Sequence, residues 1–260
     1  MYNSSSPALL RTLLIFMLIC CLLVPTKTMW GNEFKDTPEQ ALIEAAISSV
    51  ADSIQSTNIR DIFAYHLRLR GAAVSQTDKA KYWRELKSKP ELQNTTIYNS
   101  ESEQSQIVSK KLKTIFALFG RDWDIAVIKQ EAPFSGVFRQ SIYIVSTGLL
   151  SLISDAELRS FAAHELAHEC FIDELHEADR TGCLRAYYLV ELKSDLVAAL
   201  ACLLLKDDPL SSASGIARIE AYYLNVDPYV LQESKHPKSQ QRRYCVKMFL
   251  EKIGQDIQQF

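Results

Sequence analysis

Five residues constrain this chain more than any others: His164-Glu165-Leu166-Ala167-His168, the pattern HExxH. On an α-helix, residues four apart lie one turn apart on one face, so both imidazoles can address one ion. Glu165 sits about 100° further round, near enough to reach a water on that ion. This is the layout of a zinc hydrolase, with two nitrogen ligands and a carboxylate base on one rigid rod. The flanking residues predict the rod. Ser154-Asp155-Ala156-Glu157 reads as a capping box, and Leu158, Phe161, Ala162 and Ala163 carry an apolar helical run into the motif. The plain alternative is a helix whose histidines only pack or hydrogen-bond.

Two histidines do not complete a catalytic zinc site, which takes three protein ligands and leaves a position for water. The chain has no HxxGxxH continuation, and His176 has no companion glycine. The next strongly apolar helix instead carries Glu191-Leu192-Lys193-Ser194-Asp195. Glu191 and Asp195 share a face there. One can ligate the ion while the other accepts a hydrogen bond from a ligating imidazole and fixes its tautomer. The reading assigns Glu191 to the metal and Asp195 to that supporting role. The rival stretch Glu177-Ala178-Asp179-Arg180 has Leu175 where a paired carboxylate would stand. The acidic run from Glu169 to Asp179 is therefore expected to be a solvated helix end and turn.

HExxH, a later helix with ExxxD, and a downstream His236-Pro237 followed by Arg242 together resemble the gluzincin metallopeptidases of family M48. That family includes HtpX-like membrane peptidases, CAAX prenyl proteases and periplasmic quality-control proteases. The stretch Tyr143 to Leu150 also resembles the family's strand and TGLL turn, and the likeness runs from about Ser100 to Leu250. It implies a zinc endopeptidase acting on proteins or peptides, with an envelope quality-control role and His236 near the cleft. His236 could stabilise the oxyanion or, in a closed state, compete with water for the metal; a histidine that merely orders its loop is the other reading. The chain departs from the family in three places. Phe134-Ser135-Gly136 stands where Asn-Ala-Phe is usual, the interval from His168 to Glu191 is short, and Ser194 replaces a common alanine.

The mechanism expected of these residues is hydrolysis without a covalent enzyme intermediate, with Glu165 as base and then acid. Two other classes stand beside it: a binding or chaperone-like protein with a blocked metal site, and an envelope scaffold whose helical N-terminal half is the working part.

The expected fold is α+β and mainly helical, a zincin-like catalytic domain with a small sheet beside the HExxH helix. Three regions are expected: a signal peptide or anchor over 1–28, a helical region over 29–99 and the metallopeptidase domain over 100–260. Arg11 precedes an apolar run from Leu13 to Val24, too short for the roughly 20 residues of a spanning helix and suited to an export signal. Export to the periplasm or envelope is the resulting expectation, with membrane association through this segment if it is retained. Thr37-Pro38-Glu39-Gln40 opens a helix, and more helical pattern runs through Ile59 to Leu69 and Lys79 to Leu86. His66, in that pattern, reads as packing or surface.

Another helix opens at Ser100 to Glu103 and ends at Gly120. Trp123–Ile128 and Ser141–Val145 read as two strands whose edge could hold an extended peptide, or as a hairpin that covers the helix. Lys206 to Pro209 closes the core helix, Ser211–Gly215 reads as a loop, Ile216–Leu224 as a helix, and an amphipathic helix ends the chain. With 29 basic against 31 acidic residues there is no basic excess to neutralise phosphates, which argues against nucleic acid as a main partner. In an oxidising compartment Cys170, Cys183, Cys202 and Cys245 could form one or two disulfides.

Overall fold

The computed structural model describes residues 37–52, 56, 58–226 and 236–255. The expected export segment over 1–28 lies outside the described residues. Among the described residues three helices come first: α1 (Pro38–Ala51), α2 (Ile59–Leu69) and α3 (Gln76–Lys87). The Thr37 hydroxyl caps α1 at Gln40 N–H, 3.2 Å away, and Asn58 and Ser75 cap the other two. Ile43, Ala46, Ile47 and Val50 of α1 and Ile62 and Phe63 of α2 join the main hydrophobic core. His66 is buried with Nε2 3.2 Å from the Val50 carbonyl, so it packs.

After β1 (Ile97–Tyr98) comes the long helix α4 (Glu103–Phe119), capped by the Ser102 hydroxyl and closed by Gly120 at φ 59°. A left-handed residue at a helix end favours glycine, as the sequence predicts. The strands β2 (Asp124–Ile128), β3 (Ser135–Phe138) and β4 (Ile142–Ser146) complete a four-stranded sheet in the order β1-β2-β4-β3. The two expected strands are parallel neighbours, Asp124 beside Ile142 and Ile128 beside Ser146, so they do not form a hairpin. The return strand β3 lies antiparallel to β4 at the edge. The segment between the two expected strands carries Pro133 and Gly136. At an edge a glycine is tolerated, and the Phe134 ring covers Gly136 at 3.3 Å from where a Cβ would stand.

Strand alternation gives the sheet two buried faces. Ile125, Val127, Tyr143 and Val145 face the main core. Ala126, Ile128, Ile142 and Ile144 face a second cluster with Leu86, over which Tyr82 and Trp83 of α3 pack. The Trp83 indole N–H donates to Asp124 Oδ2 at 2.6 Å and ties α3 to the sheet.

From β4 the chain passes through a short helix, α5 (Thr147–Leu152), into α6 (Asp155–Ala167), which carries the motif. The expected capping box is complete: Ser154 N–H donates to Glu157 Oε2 at 2.7 Å, and Glu157 N–H to Ser154 Oγ at 3.3 Å. At His168 the winding tightens into a 3-10 turn, His168–Phe171, which leads into α7 (Ile172–Thr181). The acidic run is thus a helix. Its first member is not solvated, because Glu169 is buried against Arg121.

Next comes the 22-residue helix α8 (Leu184–Leu205), buried without interruption from Val190 to Cys202. It is a core helix, and among the described residues no helix is long and apolar enough to cross a membrane. Arg159 of α6 reaches Asp207, just past the end of α8, through two hydrogen bonds of 2.7 Å.

The expected loop Ser211–Gly215 is the start of a longer helix, α9 (Ser211–Val226). Serines and a glycine read as loop residues in isolation. Here they allow a close helix crossing, since a Cβ on Gly215 would stand 2.7 Å from the Phe161 ring of α6. The last described helix is α10 (Ser239–Lys252), which buries Arg242, Cys245, Val246 and Phe249. Cys170, Cys183, Cys202 and Cys245 are all unpaired, and three of them are buried, so the expected disulfides do not form.

Candidate metal centre and active site

The helices α6 and α8 bring the predicted ligands together. Ligand atoms of His164, His168 and Glu191 all lie within 4.8 Å of one another. The Nε2 atoms of His164 and His168 are each 3.4 Å from a different oxygen of the Glu191 carboxylate. Their other ring nitrogens are turned away and held. His164 Nδ1 lies 2.9 Å from Asp195 Oδ1, and His168 Nδ1 lies 3.1 Å from Ser194 Oγ. With Nδ1 of both rings held from behind, both Nε2 atoms are turned toward the same space, the orientation that metal ligation needs. Two imidazoles and a carboxylate, oriented from behind, are a donor set that fits a divalent transition metal.

Residues 100–203 match the model of peptidase family M48. They form an M48 peptidase domain. No curated protein matches the chain. Peptidases of this family are metal-dependent hydrolases of proteins or peptides, and the site just described lies within the matched residues.

Arg242, Ser212 and His236 reach this M48 site from beyond the match. Arg242 of α10 donates from Nη1 to Asp195 at 2.9 and 3.0 Å and from Nη2 to Glu191 Oε2 at 2.7 Å. Its Nε donates to the Pro237 carbonyl at 3.1 Å, fastening the His236-Pro237 turn over the site. Ser212 of α9 donates to Asp195 Oδ1 at 3.3 Å. The sequence named Arg242 only through a resemblance and did not single out Ser212. Ser194, a departure from the family pattern in sequence, lies three residues past Glu191 and so on the same face of α8, where it meets His168.

His236 stands at the mouth, 62% exposed, with Nδ1 2.9 Å from Glu191 Oε2. Glu165 is half-buried beside the ligands. Burial and the nearby Glu191 charge push its carboxyl above the usual range, although His164, His236 and Arg242 pull the other way. Burial opposes a charge on His164, but the Asp195 and Glu191 carboxylates outweigh it and push the imidazole up to about 10. Burial and the neighbouring His164 push His168 down to about 4. Burial would also neutralise Glu191 and Asp195, yet His164 and Arg242, joined at Glu191 by His236, hold both carboxyls below their ordinary range. In this cluster the carboxylates stay ionised and ready to face a cation.

Proposed function

We propose that the protein is a zinc-dependent endopeptidase with His164, His168 and Glu191 as metal ligands and Glu165 as the general base. The observation that carries this reading is the pairing of each histidine's Nε2 with one Glu191 oxygen while Asp195 and Ser194 hold the opposite nitrogens. Zinc is the metal that two neutral imidazoles and a carboxylate most commonly bind in a hydrolase; when bound it supplies Lewis acidity toward a water and a peptide carbonyl.

The chain's own residues do the rest. Glu165 accepts the proton of the attacking water and returns one to the leaving amine. A carboxyl raised above its ordinary range by partial burial is better matched to that exchange than a fully solvated one. His236, at the mouth, is the side chain available to hydrogen-bond the oxyanion as the carbonyl becomes tetrahedral. The edge strand β3, which packs near α6, offers unpaired backbone groups to an extended substrate. Export is part of the proposal: Arg11 and the apolar run from Leu13 to Val24 support an envelope location and, with it, envelope proteins as substrates.

The test is metal analysis and casein cleavage on wild type, Glu165→Gln and Glu191→Ala. The expected result is about one zinc per chain in the first two and little in the third, with cleavage in wild type alone. Full cleavage by Glu165→Gln would remove the base assignment. Undiminished zinc in Glu191→Ala would remove the third ligand.

A further inference from the structure

We propose that Arg121 is a positioning residue for His168, acting through the neighbouring Glu169. The inference rests on the reading of His168 as a metal ligand and extends it to a clamp that no ligand motif contains.

His168 is the last residue oriented by α6 and the first of the 3-10 turn His168–Phe171. Such turns have poorer backbone hydrogen-bond geometry than an α-helix, so side-chain anchors weigh more in fixing them. Glu169, the next residue, points inward. Arg121 meets its Oε2 from both Nε at 2.6 Å and Nη2 at 2.5 Å. The same Nη2 also donates to the Gly71 carbonyl, just beyond α2. Arg121 is itself rigidly placed, because Gly120 turns the chain out of α4 and Arg121 N–H closes that turn on the Phe116 carbonyl at 2.9 Å. From the other side α2 packs on the turn, with the His66 and Phe171 rings 5.7 Å apart.

Both side chains of the pair are about 95% buried. Burying two charges costs about as much solvation as their attraction returns, and apolar residues of similar size usually stabilise a core as well or better. A buried ion pair is therefore a weak source of stability. What this one supplies is direction. A guanidinium fork fixes the Glu169 carboxylate, and Glu169 is one peptide bond from His168, so the clamp sets how the turn presents the imidazole toward Glu191.

The experiment compares full-length wild type, the double variant Arg121→Met/Glu169→Leu and the single variant Arg121→Lys. Two quantities are read: zinc affinity by chelator competition and the melting temperature of metal-free protein. The double variant is expected to melt no lower than wild type, yet to bind zinc about tenfold or more weakly, as loss of an orienting partner does. Arg121→Lys keeps the charge without the fork and is expected to lose affinity in the same direction; if the double variant does not fold, this single variant decides by the same two readings. Zinc affinity within about twofold of wild type would overturn the inference, as would affinity that falls only in step with metal-free stability. Wild type that binds no zinc would sink the metal-site reading and this inference together. Zinc-binding wild type with unchanged variants would sink this inference alone.

Discussion

Arg242 Nη2 lies 2.7 Å from Glu191 Oε2, so a cation from the last described helix holds the carboxylate proposed as the third metal ligand. Nη1 of the same side chain holds Asp195. Two buried carboxylates thus share one guanidinium. Arg242→Met is expected to destabilise the metal-free protein by roughly 3–5 kcal/mol, the usual penalty for stranding a buried charge. Added zinc should recover part of that loss, since a dication replaces the missing positive charge. Urea unfolding with chelator and with zinc measures both; equal stability of wild type and variant in chelator would contradict the role.

Ser194 Oγ lies 3.1 Å from His168 Nδ1. Ser194→Ala leaves that nitrogen without its partner, and zinc affinity is expected to fall roughly tenfold. Ser194→Thr, which retains the hydroxyl, should keep more of it than alanine does. Chelator competition on the two variants decides, and alanine binding as tightly as wild type would count against the assignment.

Gly148 is required by a close approach. Its N–H donates to the Gln130 carbonyl at 2.8 Å, and a Cβ there would fall 1.8 Å from the Glu131 carbonyl oxygen. That oxygen belongs to backbone and cannot swing aside as a side chain would. Gly148→Ala is expected to cost about 1–3 kcal/mol or more as the segment before β3 is pushed off α5. Thermal unfolding measures it, and an unchanged melting temperature would refute the contact.

Glu157 closes the capping box of the motif helix and pairs with Arg218 of α9 at 3.0 Å. Burial would raise its carboxyl, but the Ser154 N–H and hydroxyl and the Arg218 guanidinium outweigh that and hold it below its ordinary range. A carboxyl whose folded value is depressed stabilises the fold above its unfolded value, and that contribution is lost as pH falls through the folded value. Wild type should therefore lose more stability between about pH 7 and pH 3 than Glu157→Gln does. The difference should be a few tenths to about 1 kcal/mol, since Arg218 is largely exposed. Identical pH profiles would show that the charge contributes nothing.

Local order was legible in the residues themselves. The four-residue spacing of His164 and His168, the Ser154–Glu157 box, the Gly120 stop and the ExxxD spacing of Glu191 and Asp195 each depend on helix geometry within a few neighbours. They placed the HExxH helix and the acidic helix, and the structure brings those side chains into one cluster. What only the tertiary structure decided lies across long separations. Arg242 is 47 and 51 residues from the carboxylates it holds, and Arg121 is 48 residues from Glu169. Whether Glu169 faces water or Arg121, whether Ser211–Gly215 loops or winds against Phe161, and whether β3 joins β4 depend on the opposing surface. Helix periodicity and capping act through neighbouring backbone, whereas burying a charge or packing a glycine against a ring is settled only when the partner arrives.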